Sequence, residues 1–197
     1  MSKTAYVTAA KPKVGGAIYS APLGTALPTD ATTDLHANFK ALGFVSEDGV
    51  KNANSPSSEN LKAWGGATVN TLQKEKEDTF TYKLVEALNV DVLKEVYGAD
   101  NVTGDLETGI TITANSQEMQ EHSIVIDMVL KDGILKRIVI PQAKVSEVGE
   151  IVYADSENVG YETTLTALPD EQGNTHYEYI KKATAKAKKS TAGGASQ

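Results

Sequence analysis

The feature that most constrains this chain is a two-residue hydropathy rhythm running from about residue 66 to residue 180. Polar and apolar residues alternate in short runs whose apolar members are mostly β-branched or aromatic, as in strands with one face buried. Thr68–Leu72 and Thr79–Val85 read as two strands, with the charged stretch Gln73–Asp78 as the solvated turn joining them. Gly109–Ala114 alternates cleanly. Ser123–Leu130 and Ile134–Ile140 bracket Asp132-Gly133, a dipeptide suited to the left-handed conformation of a tight hairpin. Pro141 has no N–H to give, so it is expected to end that ladder or lie at its edge. Lys144–Val148, Gly160–Leu168 and His176–Ile180 bring the total to at least seven strands.

One segment breaks the rhythm. In Asn89–Gly98 the residues Val90, Leu93, Val96 and Tyr97 share a helical stripe, Asn89 supplies an N-cap and Gly98 a left-handed end. A helix of about three turns is expected, and so short a helix needs a sheet to lie on. With no alternation of strands and helices, the reading is mainly β: an antiparallel sandwich or barrel-like fold with one flanking α-helix.

Three stretches lie outside the pattern. Residues 1–35 hold Pro22, Pro28 and many threonines, and are expected to form an extended amino-terminal arm that orders on a partner. Residues 46–66 are polar and turn-rich, and read as a long early inter-strand loop in which Ser57 or Ser58 caps a helical turn through Leu61. Residues 181–197 are Lys, Ala, Ser and Gly with nothing large to bury, and read as a basic disordered tail. The domain proper is 36–180.

Charge follows the same division. The net −7 conceals +3 in residues 1–29, +5 in 181–197 and −15 in 30–180, where 26 acids face 11 bases. An acidic body is a poor ligand for nucleic acid, although it can lie beside a phosphate backbone and repel it.

Several function classes find no support. There are no cysteines, so no disulfide, thiolate metal site or cysteine nucleophile is available. No apolar run approaches the roughly 18 residues of a membrane span, and MSKTAYVTAA lacks the apolar region of a secretory leader. No membrane partner is expected. His36, His122 and His176 are far apart and outside any metal-binding spacing, so they read as surface or strand histidines. His122, Ser123 and Asp127 have the residue types of a triad, but on one strand they do not converge. Gly15-Gly16 and Gly65-Gly66 lack the pattern of a phosphate cradle. No catalytic residue, cofactor or metal is expected.

Particular stretches carry a resemblance. APLGTALPTDATTDL at 21–35, Leu42–Gly49, Leu61–Gly66, Glu86–Leu93, Tyr97–Gly104, Lys136–Pro141, Gly160–Glu162 and Thr166–Asp170 together resemble the major tail protein, or tail tube protein, of long non-contractile-tailed bacteriophages. The similarity spans roughly residues 20–180. It implies a tail-tube fold whose subunits form a homo-oligomer of hexameric rings, stacked as the hollow tube through which DNA is ejected. It implies a virion protein made in the host bacterial cytoplasm, with the tape measure, tail tip and terminator proteins as neighbours. Double-stranded DNA passes through such a tube without specific binding. By position, the loop residues Asp48, Lys51, Asn54, Ser57, Glu59 and Trp64 become candidates for inter-ring contact. Glu75, Glu77, Asp78, Glu86, Asp127, Glu147 and Glu162 form the pool of candidate lumen acids, which alternation alone does not separate.

Two other readings fit parts of the chain. A tail terminator, secretion-tube ring or capsid-decoration protein would form rings that never elongate. A carbohydrate-binding β-sandwich would use Trp64 to stack on a sugar, with no further aromatic residues close by in sequence.

Overall fold

The structure, a computed structural model, describes residues 2–13 and 16–183, with backbone alone at 5, 74 and 75. The expectation for the basic tail therefore falls largely outside the described residues. Eleven strands and one α-helix follow in chain order. They are β1 Lys11–Pro12, β2 Ile18–Pro22, β3 Lys40–Ala41, β4 Val45–Lys62 and β5 Thr68–Leu84, then helix α1 Val90–Tyr97. After it come β6 Val102–Thr103, β7 Thr111–Ile112, β8 His122–Val129, β9 Ile134–Val148, β10 Tyr161–Leu168 and β11 Tyr177–Lys182.

The main sheet runs β3-β2-β8-β9-β10-β5-β4, with every pair antiparallel. β1 adds to β8 beyond the end of β2, and β11 adds to β9 beyond the end of β10. β6 and β7 pair apart from it. The sheet is open: β3 and β4 are its ends, and no ladder joins them into a barrel.

Alternation sets which face is buried. In β10 Tyr161, Thr163, Leu165 and Ala167 point inward while Glu162 and its alternates point out. Their core holds Phe80, Tyr82 and Leu84 of β5, Ile124 and Ile126 of β8, Ile140 and Val145 of β9, and Val92, Leu93 and Val96 of α1. Asn89 caps α1 by accepting the Asp91 N–H at 3.0 Å. The helix is two turns long, and it turns Val92 and Glu95 inward together with Leu93 and Val96. The Asp132-Gly133 hairpin forms as expected, with φ of 60° and 72° at its two residues.

β8 is buried on both faces, and this corrects the reading of the amino-terminal segment. Val125 and Val139 face a second core with Ala21 and Phe39, bordered by Leu27, Leu35, Tyr177 and Tyr179. Ile18–Pro22 is an inner strand of the sheet, and residues 23–35, which run as turns, bends and irregular chain, cover the sheet's second face. The partner that orders them is the chain's own sheet. A buried ion pair fastens this cover. Arg137 stands directly opposite Asp127, donating to its two oxygens at 2.6 and 2.9 Å. Its remaining nitrogen donates to the carbonyls of Asp30 at 3.0 Å and Thr33 at 2.7 Å. Lys13 reaches the same carboxylate from β1's end at 3.0 Å.

Two further expectations are revised. β9 continues straight through Pro141, because the register against β8 shifts between His122 and Ile124 and the missing N–H falls in that irregularity. Ser123 Oγ donates to the Pro141 carbonyl there at 2.7 Å. Residues 46–66 are mostly strand, with no helical turn at Ser57 or Ser58, and Gln73–Asp78 lies inside β5.

Removing Arg137 leaves the buried Asp127 carboxylate with only the partly exposed Lys13 as counterion and frees the carbonyls of Asp30 and Thr33. Arg137→Ala is expected to cost about 3–5 kcal/mol of stability in urea unfolding, with release of residues 27–35 to proteolysis.

Candidate assembly surfaces

Two surfaces remain after the body has packed. The first is the β4–β5 ribbon. Its root is clamped by Asp78, whose side chain is buried and accepts from Asn52 Nδ2 at 2.8 Å, Thr175 Oγ1 at 2.5 Å and the His176 ring at 2.6 Å. Burial pushes this carboxyl up, but the three donors, His176 among them, outweigh it and hold it below the usual range. Beyond the Asn54–Asp78 pair the strands leave the body, and every described side chain from 55 to 73 is exposed. Ser55–Lys62 alone reaches about 25 Å at the usual strand rise. The turn closes through Ala63 N–H to Ala67 O at 2.8 Å, over Gly65 and Gly66 at φ of 102° and 89°. Trp64 stands wholly exposed at the tip, with Leu61 and Leu72 on one face of the ribbon behind it.

The sequence-marked loop residues divide accordingly. Asn54, Ser57, Glu59 and Trp64 lie along the ribbon, whereas Asp48 and Lys51 lie at its root near Glu162. All six are exposed.

The second surface is the outer face of β5, β10 and the end of β9. Pairing of Thr81 with Thr164 and of Thr164 with Glu147 sets these side chains on the face opposite the core. Thr81 and Thr164 hydroxyls meet across it at 3.0 Å. Glu77, Glu147 and Glu162 are exposed on this face by register. Lys83 faces Glu162 from β5, and Lys144 pairs with Glu118. No described apolar layer covers it, in contrast to the second face of β8.

The other candidate acids are not on that face. Asp78 and Asp127 are buried in the clamps described above, so neither is open to a lumen. Burial raises the Asp127 carboxyl while Arg137 and Lys13 lower it, and the net shift is downward. Glu86 accepts from Phe44 N–H and Asn89 Nδ2, both at 2.9 Å, tying the entry to β4 to the start of α1. Gly43 makes room for it, since a Cβ there would stand 2.0 Å from the Glu86 carboxyl carbon. The Glu75 side chain lies outside what is described.

A buried pair that the sequence reading missed joins α1 to the sheet. Glu95 Oε1 accepts from His122 Nε2 at 2.9 Å and from Tyr82 OH at 3.4 Å. Burial would lower the His122 pKa, but the Glu95 carboxylate and its hydrogen bond prevail and raise it. The available clue was a glutamate flanked by Val92, Leu93 and Val96 in the one amphipathic helix. His176 is likewise drawn inward, onto Asp78 and edge-on to Phe80 at 5.3 Å. His36 is on the surface and His122 opens strand β8, both within the expectation of surface or strand histidines. Among the described residues, no three acidic or histidine side chains gather where a metal ion could bind.

A family model described as phage tail tube protein matches residues 1–192. The chain belongs to the phage tail tube protein family. No curated protein matches it. Membership makes the protein a structural component of a bacteriophage tail, the assignment the sequence resemblance implied. Among the described residues no helix is long and apolar enough to cross a membrane.

The histidine at the helix–sheet joint gives a signed pH dependence. With its folded pKa raised, His122 contributes stability that is complete below about pH 6.5 and is lost as pH rises through the raised value. Thermal unfolding of wild type and His122→Gln from pH 5 to 9 should show a gap in stability that narrows with pH. A gap constant across the range would contradict the assignment.

Proposed function

We propose that copies of this chain form hexameric rings that stack into the tail tube and give DNA its passage out of the virion. The observation that carries this reading is an open sheet whose end strand continues into a ribbon with no body beneath it. Unpaired strand edges invite pairing with further chains, and ring closure uses those edges while removing the aggregation hazard they pose. The ribbon extends far enough to cross onto a neighbour, which suits it to contact between rings.

The uncovered face of β5, β10 and β9 is the proposed lumen wall. Threonine hydroxyls make up much of it, and Asp48, Glu77, Glu147 and Glu162 are interspersed with Lys51, Lys83 and Lys144. Such a wall has no continuous basic track to displace counterions, so DNA slides past without being held. Screening over about 8–10 Å leaves the lumen residues, not the whole acidic body, as the charges the DNA meets. The tape measure, tail tip and terminator proteins are the proposed neighbours at the interior and the two ends of the tube.

Purified protein is expected to give rings or tubes in negative-stain micrographs. A variant with residues 57–75 replaced by Asn-Gly keeps the Asp78 clamp and should retain the body's melting transition while failing to elongate. Normal tubes from that variant would contradict the role given to the ribbon, and rings that never stack in the wild type would favour a terminator-like protein.

A further inference from the structure

A cavity of about 410 Å³ opens beside α1, between the helix, the start of β2's exit and residues 119–122. Ala21, Leu42 and Met119 give it apolar walls, and Glu95 and His122 lie within it. The Glu95 side chain is only 4% exposed, and both hydrogen bonds it accepts end on Oε1. Its other oxygen, Oε2, has no partner among the described residues. That oxygen is not sealed in the core: it opens onto the cavity, where a donor entering from outside can reach it.

The ribbon tip offers a matching group. Trp64 is the sole tryptophan, it is fully exposed, and its indole joins a large apolar body to one N–H that only donates. Residues 60–73 contain Lys62 and no acid, so the tip approaches a buried carboxylate without repulsion. Lys40 and Lys94 also border the cavity, but Asp91 and Glu121 offset them. The cavity is within the size range of ordinary small-group pockets, roughly 300–1,000 Å³.

We infer that Trp64 of one copy seats in the α1 cavity of a second copy, its indole N–H donating to Glu95 Oε2. This rests on the reading of the ribbon as an inter-ring contact and names the surface that receives it. The contact is heterologous, tip to cavity, so it propagates along a stack instead of closing a pair.

The lone tryptophan reports on its own burial. In full-length protein, association should shift Trp64 emission to the blue and abolish quenching by acrylamide. Trp64→Phe, which keeps the ring and loses the N–H, should weaken association about tenfold, and Trp64→Ala more. Ala99→Phe narrows the exposed mouth of the cavity without entering the core, and should leave its own Trp64 quenchable at any concentration. Mixing Ala99→Phe with Trp64→Ala pairs an intact tip with an intact cavity and should restore the blue shift. Tubes in which Trp64 remains fully quenchable would overturn this docking while sustaining the tube. A blue-shifted, protected Trp64 in small soluble complexes that never form tubes would sustain the docking and overturn the tube. Absence of any association would overturn both.

Discussion

A two-stranded ribbon with water on both faces buries no apolar surface within its own chain, and leaves Leu61, Trp64, Val69 and Leu72 exposed. Each residue from 55 to 73 gives up conformational freedom and receives in return little beyond the ladder to its partner strand. The body compensates at the root, where Asp78 gathers Asn52, Thr175 and His176 around a buried carboxylate. That clamp fixes the angle at which the ribbon leaves, and hence where Trp64 is presented. The free end has no such support within the chain. Its stability and its purpose both point to contacts with other copies.

Two internal charge pairs divide the remaining task. Arg137 and Asp127 hold the segment after β2 across the second face of β8, so that an inner strand drawn from the amino end is sealed on both sides. Glu95 and His122 hold α1 on the first face and line a cavity with apolar walls at Ala21, Leu42 and Met119 and a charged border. The titrating groups in these clamps respond to pH in opposite senses. Asp127 and Asp78 are lowered, so what they contribute is complete above about pH 4 and is lost as pH falls through their folded values. His122 is raised, and its contribution fades toward alkaline pH.

Much of this fold was legible in the letters because one-sided burial writes a period of two. β8, β9, β10, α1 and the Asp132-Gly133 hairpin all follow from that rhythm or from its single break. Only Thr68–Leu72 of the ribbon was legible as strand; residues 55–62, with water on both faces, show no alternation and look like loop, and the charged Gln73–Asp78 looks like a turn. The amino-terminal segment failed for a different reason. Its prolines keep it out of α-helix, but what it lies against depends on Arg137, more than 100 residues away. Charge counting failed in the same manner for Asp78 and Asp127, whose partners come from distant strands and loops. Glu77, Glu147 and Glu162 stay on an open face because their strand positions alternate with core residues.

The central claim is that the unpaired edge of β4 and its ribbon find their partners in other copies of the chain. Amide hydrogen exchange, compared between dilute subunit and assembled tube, tests it most directly. The account predicts that amides of residues 55–73 exchange rapidly in the dilute subunit and become strongly protected in the tube, while β8 is protected in both. Ribbon amides equally unprotected before and after assembly, or already fully protected in the lone subunit, would contradict it.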